Sequence, residues 1–163
     1  MKLSHLLALG AVAISTALAA PSAHAAGPIV KFQTTSNPKL LSDIPSIGFA
    51  TMQSPSSLAN QRWERLDGPG AFEYYRDVGT GKCLRASPTN NVFVRTVTCN
   101  FTDDAASRQQ QWVLSGRQLA NRDRLINNNP ANSLTVDFNN VNSVVGMAAF
   151  TGKPNQSWLA LAG

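Results

Sequence analysis

Short hydrophobic runs alternate with clusters of polar, turn-forming residues along most of the chain. Three of the runs have the length and composition of β-strands, namely Phe49–Met52, Val92–Thr98 and Val144–Met147. In the second run every other residue is Val or Thr, which places Phe93 and Arg95 together on the opposite face of the predicted strand.

Glycine, proline, asparagine and serine cluster between the hydrophobic runs. Examples are the segments Asp67–Gly70, Pro88–Asn91 and Asn127–Asn132. These residues are typical of turns because each tolerates or imposes a backbone conformation that regular strands do not use. No long stretch with helical periodicity interrupts the pattern. Many short strands joined by turns predict an all-β sandwich or barrel.

A repeated motif divides the chain into three parts. Each of the three tryptophans follows a glutamine by two positions, in Gln61–Trp63, Gln110–Trp112 and Gln156–Trp158. The first two tryptophans lie 49 positions apart and the last two lie 46 apart. β-Propellers have repeats of similar length, but they typically need about four to eight blades. Three nearly equal units instead predict a closed threefold arrangement.

The first 25 residues have the pattern of a secretory signal peptide. Lys2 precedes an apolar run of fifteen residues from Leu6 to Ala20, and Ala23–Ala25 forms a small-x-small cleavage site. The run is shorter than the roughly 20 residues that span a bilayer, and no later stretch approaches that length. We therefore predict a secreted protein with no membrane span, in which residues 26–163 form a single domain.

Removal of the predicted leader changes the chemistry that is available. Both histidines, His5 and His24, would be lost, and the loss of Lys2 would lower the formal net charge from +5 to +4. The remaining basic residues are scattered, which disfavours nucleic-acid binding because that requires Lys and Arg on one face. Cys83 and Cys99 are the only cysteines, and an even number in an exported protein predicts a disulfide.

The second unit carries more than the tryptophan motif. Its segments Gly81–Leu84, Val94–Val97, Cys99–Asn100 and Gln110–Trp112 follow the order found in ricin-type β-trefoil lectins. The chain resembles that family from roughly Ile29 to Leu161. The resemblance implies an all-β fold, a β-trefoil of three Gln-x-Trp repeats with pseudo-threefold symmetry. The repeats would lie at roughly 26–68, 69–115 and 116–163.

The resemblance also implies what the repeated motif does. The tryptophans of this family pack into the core, and the glutamines help to hold a turn. Three buried indoles would supply a large share of a small core. We therefore expect structural roles for Gln61, Trp63, Gln110, Trp112, Gln156 and Trp158.

Sugar-binding units of ricin-type lectins usually carry an aspartate two residues after the first cysteine position and an aromatic ring two residues before the second. The aspartate accepts hydrogen bonds from sugar hydroxyls, and the ring stacks on the flat face of the sugar. Here the aspartate positions hold Ser42, Arg85 and Thr135, and the ring positions hold Gln53, Val97 and Ala148. Asp43 and Asp137 lie one and two residues beyond the expected positions, where a loop shift would bring either one into a site.

The third unit is the better candidate for a retained sugar site. We expect its ligand-binding residues to be Asp137, Phe138, Asn139, Asn140, Asn155 and Gln156. The alternative is a polar turn after a strand, with Gln156 in its structural role. In the second unit, Arg85, Asn100 and Gln110 would line a pocket in which Arg85 favours an anionic ligand over a neutral one.

The predicted mature chain lacks the residues that catalysis and metal binding usually require. Serine or cysteine catalysis needs a general base, and the predicted mature chain has no histidine. Glycosidases need a pair of carboxylates, whereas Glu64 and Glu73, the only glutamates, suit surface roles better. Two cysteines without a histidine cannot supply the usual zinc ligands. We therefore predict no enzyme activity, no cofactor and no metal site.

Three functions compete at this point. The resemblance implies a secreted, non-catalytic, lectin-like protein whose partner is a glycan or glycoconjugate. The alternative is the binding subunit of a secreted toxin or enzyme complex, similar to the cell-binding subunits of cytolethal distending toxins. A third possibility is protease inhibition, as in Kunitz-type trefoils, through the loop from Asn100 to Gln109, which contains Arg108.

Overall fold

The computed structural model describes residue 24 and residues 26–88, 93–136 and 143–163. Twelve β-strands lie in these residues, in three groups of four. The first group is β1 (Ala26–Thr34), β2 (Asn37–Ile44), β3 (Phe49–Gln53) and β4 (Trp63–Asp67). The second group is β5 (Glu73–Asp77), β6 (Cys83–Arg85), β7 (Arg95–Val97) and β8 (Trp112–Ser115). The third group is β9 (Gln118–Asn121), β10 (Ser133–Val136), β11 (Val145–Ala148) and β12 (Trp158–Ala162).

The first and fourth strands of each group form a six-stranded barrel. β1 pairs with β4, β4 with β5, β5 with β8 and β8 with β9, all antiparallel. β12 pairs with β1, and the Trp158 N–H donates to the Arg117 carbonyl just before β9 at 2.8 Å. This hydrogen bond brings the start of β12 next to the start of β9 and so closes the ring of six strands.

The second and third strands of each group form three hairpins, β2–β3, β6–β7 and β10–β11. The hairpins bind one another through their backbones. Ala50 N–H donates to the Val94 carbonyl (2.9 Å), Val94 N–H donates to Val145 (2.8 Å), and Met52 N–H donates to Ser143 (3.1 Å). A six-stranded barrel joined to a triplet of hairpins is a β-trefoil, which confirms the predicted fold class.

The three tryptophans occupy equivalent positions in one shared core. Each is completely buried, and a single cluster of apolar side chains contains all three. The indole N–H of Trp63 donates to the Leu41 carbonyl at 3.0 Å. Trp112 donates in the same way to Leu84 (2.9 Å) and Trp158 to Leu134 (2.8 Å). Each unit thus buries its ring against the second strand of its own group.

The glutamines of the motif also make equivalent contacts. The side-chain carbonyls of Gln61, Gln110 and Gln156 accept the backbone N–H of Ser56, Asn100 and Thr151 at 2.7–3.0 Å. Their amide groups donate to the carbonyls of Ser54, Thr98 and Ala149. Each glutamine therefore fixes the loop that follows the third strand of its group.

Two of the three predicted strand runs extend one residue further at the carboxyl end, and one is shorter than predicted. β3 reaches Gln53 and β11 reaches Ala148, whereas β7 covers only Arg95–Val97 of the predicted run Val92–Thr98. Val92 lies outside the described residues. Thr98 lies beyond the strand because its carbonyl accepts the side-chain amide of Gln110 instead of a ladder hydrogen bond.

Short helices occur in the connections. α1 (Ala105–Arg108) begins after Asp104, whose carboxylate accepts the Ser107 N–H at 2.7 Å as an N-cap. α2 (Arg122–Ile126) follows β9 directly, and single 3-10 turns cover Ala59–Gln61 and Pro154–Gln156. In the part of the chain that the structure describes, no helix is long and apolar enough to cross a membrane.

Candidate functional site

The site predicted in the third unit is only partly described. Asp137, Phe138, Asn139 and Asn140 lie outside the described residues. Asn155 and Gln156 are described, and both use polar atoms within the fold. Asn155 Nδ2 donates to the Val136 carbonyl at 2.9 Å, and Asn60 makes the equivalent contact with the Asp43 carbonyl in the first unit. The Asn155 contact is therefore a repeated structural feature.

Gln156 is more fully engaged. Its amide donates to the Ala149 carbonyl and to Thr135 Oγ1, and its carbonyl accepts from the backbone and the hydroxyl of Thr151. The side chain is buried. These four contacts use the hydrogen-bonding groups that a sugar would need, which favours the structural role.

The strand register locates the positions at which ricin-type lectins hold their sugar. The aspartate position of each unit pairs across its hairpin with one residue of the third strand. The pairs are Ser42 with Thr51, Arg85 with Arg95, and Thr135 with Gly146. The second unit is therefore distinctive, because it places two arginines directly opposite each other.

Asp43 does not provide a displaced sugar-binding carboxylate, contrary to the hypothesis of a loop shift. Its carboxylate is completely buried. One oxygen accepts from Thr96 Oγ1 and the other from Thr80 Oγ1, each at 2.7 Å. Because both threonines belong to the second unit, Asp43 fastens the first two units together and faces no ligand.

A second buried carboxylate lies beside Asp43. Asp77 accepts from the backbone N–H and the hydroxyl of Thr80. Burial raises the pKa of Asp77 to about 6, and the hydrogen bonds from Thr80 only partly offset the effect of burial. Asp43 raises this pKa further through like-charge repulsion. The pair is therefore a pH-sensitive part of the fold.

A solvent-open cavity of about 180 Å³ lies at the end of the β6–β7 hairpin where its two strands are connected. Six residues line it and define what we call the arginine pocket: Arg85, Ala86, Ser87, Pro88, Phe93 and Arg95. Pockets for drug-sized ligands have volumes of roughly 300–1,000 Å³. The arginine pocket is smaller, so it suits one ring-sized group rather than an extended ligand.

The two guanidinium groups of the pocket are held in place by uncharged partners. Arg85 donates from Nε (2.9 Å) and from an Nη atom (2.6 Å) to the side-chain carbonyl of Gln109. The guanidinium carbon of Arg95 lies 4.8 Å from the ring centre of Phe49, within cation–π range. Each arginine is thus oriented without neutralisation of its charge.

An aromatic ring completes the pocket. Phe93 retains 36% of its surface exposed, so part of its ring is accessible to a ligand. Its ring meets that of Phe49 edge to face, with the centroids 5.1 Å apart. Phe49 therefore contacts both Phe93 and Arg95 and limits their movement. The pocket thus contains one aromatic ring and two cations whose positions are fixed by neighbouring side chains.

No carboxylate neutralises the arginine pocket among the described residues. The ion pairs among the described residues join Arg65 to Glu73, Arg76 to Glu64, Arg108 to Asp123 and Arg122 to Asp103. Neither Arg85 nor Arg95 takes part in one. The neighbouring residues 89–92, which lie outside the description, are Thr, Asn, Asn and Val and contain no acid.

Asn100 and Gln110, which the sequence placed beside Arg85, do not line this cavity. Asn100 donates to the Asp104 carboxylate and accepts from Thr102, so that it builds the loop before α1. The carbonyl of Gln110 accepts the Asn100 N–H. Arg85 was therefore correctly associated with a pocket, but the other two residues support the adjoining loop.

Sequence reasoning missed the main partners of Arg85. Phe93 and Arg95 were assigned to one strand face, which was a usable signal, but nothing in the chain order paired that face with Arg85. The connection between β6, which ends at Arg85, and β7, which begins at Arg95, is longer than the short turns that fix the register of a hairpin, so the register could not be predicted. Phe49 comes from another unit and had no local signal at all.

The sequence matches no family model and no curated protein. Its fold has close likenesses among solved structures. The designed threefold-symmetric protein ThreeFoil is 18% identical with a TM-score of 0.66, and the match covers 83% of this chain and 99% of that one. The C-half of the earthworm R-type lectin, solved in complex with GalNAc, is 15% identical with a TM-score of 0.62, over 83% of this chain and 99% of that one.

A third likeness is part of a much larger protein. A mosquitocidal holotoxin is 15% identical with a TM-score of 0.68, over 85% of this chain. The match spans only 16% of the holotoxin chain. At these identities the likenesses establish the fold and leave the ligand to be argued from the site.

Proposed function

We propose that this chain, whose fold is a ricin-B-like β-trefoil, is a secreted, non-catalytic carbohydrate-binding protein. The observation that carries the proposal is the arginine pocket. Arg85, one of its lining residues, stands where ricin-type lectins carry their sugar-binding aspartate, and the pocket combines an exposed ring with hydrogen-bond donors.

The chemistry of the pocket suits a sugar ring. A pyranose has a flat face rich in C–H groups and a rim of hydroxyl oxygens. The exposed ring of Phe93 can stack on the C–H face of the sugar. The guanidinium groups offer several N–H donors to the hydroxyl oxygens. Their uncharged supports, Gln109 and Phe49, hold these groups in place before a ligand arrives, which lowers the cost of ordering on binding.

The positions of four described carboxylates favour binding over hydrolysis at the arginine pocket. Glu64 and Glu73, the two glutamates, each accept hydrogen bonds from an arginine on the barrel. Asp43 and Asp77 are buried. None of these four carboxylates lines the arginine pocket, whereas a glycosidase places a carboxylate pair across its scissile bond.

A glycan array with matched phenylalanine variants tests this proposal. The purified protein should bind a subset of glycans, and Phe93→Ala should abolish that binding. Phe101→Ala is the control, because Phe101 is equally exposed (37%) but packs against Tyr74 away from the pocket. Silence of the parent protein across neutral and acidic glycans would overturn the proposal, as would equal losses in the two variants.

The secreted location belongs to the same proposal. The predicted leader lies outside the described residues, apart from His24. Expression of the full chain in a secreting host should give a product in the medium that begins near Ala26. Amino-terminal sequencing of that product measures the cleavage point, and retention of Met1 would contradict the predicted leader.

A second candidate is a binding subunit within a toxin or enzyme assembly. It is favoured by the likeness to part of a mosquitocidal holotoxin, in which a similar fold forms a small share of a large chain. A tagged copy of this protein should then recover a specific secreted partner from its native culture supernatant. Recovery of the monomer alone would remove this candidate.

The structure disfavours the protease-inhibitor hypothesis. Arg108 lies in α1 rather than in an extended loop, its guanidinium donates to the Asp103 carbonyl, and it forms an ion pair with Asp123. Peptide recognition at a sheet edge requires an extended segment. A helical and tethered Arg108 does not offer one.

A further inference from the structure

The two opposed arginines are charged residues in an arrangement that the fold alone does not explain. Arg85 and Arg95 are direct partners across the β6–β7 ladder. Like charges opposite each other on a sheet destabilise it. The equivalent pairs in the other two units, Ser42 with Thr51 and Thr135 with Gly146, carry no charge. The second unit thus tolerates a repulsion that its symmetry mates avoid.

The immediate surroundings orient these charges but do not cancel them. Arg85 is bound by the neutral side chain of Gln109, and Arg95 lies over the ring of Phe49. Arg124 lies behind the pocket wall, where its Nε donates to the Ser87 carbonyl at 3.1 Å. A cavity with two guanidinium groups on one side and no acid among its described lining residues has a positive potential that an anion would reduce.

The apolar residues that line the pocket limit which anion fits. Phe93 and Pro88 contribute apolar surface beside the charges, and a free inorganic ion would leave that surface unused. An acidic sugar uses both features, since its ring stacks on Phe93 while its carboxylate faces the arginines. The planar guanidinium matches a carboxylate through paired N–H donors.

We propose that the arginine pocket binds a carboxylate-bearing sugar residue, such as a uronic acid. The proposal rests on the proposed function, because it names the class of sugar for the same pocket. Arg85 and Arg95 hold the carboxylate, and Phe93 supports the ring. The arginine at the lectin aspartate position thus changes the preferred ligand from a neutral sugar to an acidic one.

Calorimetric titration of the purified protein with galacturonate oligosaccharides tests the preference, with the corresponding neutral galactose oligosaccharides as the comparison. The acidic ligand should bind about tenfold more tightly or better, given the strength of charge-assisted hydrogen bonds. Arg85→Gln and Arg95→Gln should each remove most of that difference. A circular dichroism spectrum and a melting curve of each variant show that it remains folded.

Arg117→Gln is the matched control. Arg117 is exposed at the β8–β9 turn, outside the pocket, and its loss lowers the net charge by the same amount. It should leave the affinity for the acidic sugar within about twofold at physiological salt, because exposed charges further than roughly 8 Å apart are screened there. An equal loss in all three variants would show general charge attraction and overturn the proposal.

The remaining outcomes separate this inference from the function on which it rests. Equal binding of acidic and neutral oligosaccharides overturns the acidic preference and leaves carbohydrate binding intact. Tight binding of sulfated neutral sugars, with no binding of uronates, assigns the pocket to a different anion and also overturns it. If acetate binds as tightly as the oligosaccharide, the sugar ring contributes nothing to the affinity, and the proposed acidic-sugar site is overturned. The absence of any sugar binding overturns both proposals.

Discussion

Each tryptophan of the repeated motif contributes apolar area and one specific hydrogen bond. The indole N–H groups would be buried without a partner if the Leu41, Leu84 and Leu134 carbonyls did not accept them. An unsatisfied buried donor costs about 1–3 kcal/mol, so that the ring must enter its slot in one orientation. The same side chain thus drives burial and specifies geometry.

Replacement of Trp112 by alanine should lower the free energy of unfolding by about 3–5 kcal/mol, because it leaves a cavity in the shared core. Urea denaturation followed by circular dichroism measures the loss. Phe101→Ala, at an exposed ring, should cost much less. A loss below about 1 kcal/mol for Trp112→Ala would contradict its position in the core.

The buried carboxylates of Asp43 and Asp77 share the hydroxyl group of Thr80. Thr80 Oγ1 lies 2.7 Å from an Asp43 oxygen and 3.0 Å from an Asp77 oxygen. A hydroxyl has one proton to donate, so it serves only one of the two carboxylates at a time. Burial is the main reason that the pKa of Asp77 is raised to about 6, and protonation of Asp77 also relieves its repulsion with Asp43.

This pKa makes stability depend on pH in a defined direction. Asp77 ordinarily titrates near 3.8 and is raised to about 6 in the folded protein, so the folded state holds the proton more tightly than the unfolded state does. The resulting stabilisation is present below about pH 4 and is lost as the pH rises through about 6. The free energy of unfolding should fall by about 1–3 kcal/mol from this group over that range.

Urea denaturation of the parent protein and of Asp77→Asn at pH 4 and pH 7 measures the contribution. The variant should lose the part of the pH dependence that Asp77 supplies. Asp67→Asn, at an exposed carboxylate, is the control and should keep the parent slope. Measurement on residues 26–163, which contain no histidine, keeps imidazole titration out of this window. An unchanged slope in Asp77→Asn would contradict the assignment.

At the scale of elements, the β6–β7 hairpin differs from the other two in its covalent link. A disulfide joins Cys83 in β6 to Cys99 just beyond β7, with a sequence separation of 16. It is the predicted disulfide, and it closes the hairpin that carries the arginine pocket. A covalent link across the hairpin base limits the freedom of Arg85 and Arg95, which follow and precede it in the chain.

Reduction of this disulfide should therefore lower the free energy of unfolding by about 3 kcal/mol, as expected for a closed loop of this length. Denaturation with and without dithiothreitol measures the change. The double variant Cys83→Ala with Cys99→Ala should already be destabilised and should not respond to dithiothreitol. A parent protein that is equally stable in both conditions would contradict a structural role for the link.

The elements also differ in how far sequence alone predicts them. One strand of each hairpin was recognisable as a short hydrophobic run, and in Val92–Thr98 the alternation reflects the burial of Val94 and Thr96 on one face. α1 and α2 have only four and five residues, which is little more than one helical turn and too short for periodicity to appear. The N-cap of α1 at Asp104 did have a local signal, but an aspartate pair in a polar loop fits an ordinary turn equally well.

At the scale of the whole molecule, the three units share one core. Trp63, Trp112 and Trp158 lie in a single buried cluster, and the hairpins bind one another through the backbone. No unit can expose its own tryptophan without opening the cluster that supports the other two. Unfolding should therefore be a single cooperative transition.

Conservative variants in different units test this cooperativity. Trp63→Phe and Trp158→Phe should each shift the entire transition to lower urea, with circular dichroism and the fluorescence of the remaining tryptophans changing together. The slope of unfolding free energy against urea should stay that of the parent. Two separate transitions in either variant would show that the units unfold independently.

The sequence by itself determined the threefold all-β architecture and the disulfide partners. Indole burial depends on residue type and spacing, both of which are visible along the chain, and two cysteines allow one intramolecular pairing. The tertiary structure alone decided the juxtaposition of Arg85 with Arg95 and the burial of Asp43. The first depends on the register of a hairpin whose long connection does not fix it, and the second on threonines that a different unit supplies. Contacts set by packing between distant segments leave no local pattern, and for that reason they emerged only in three dimensions.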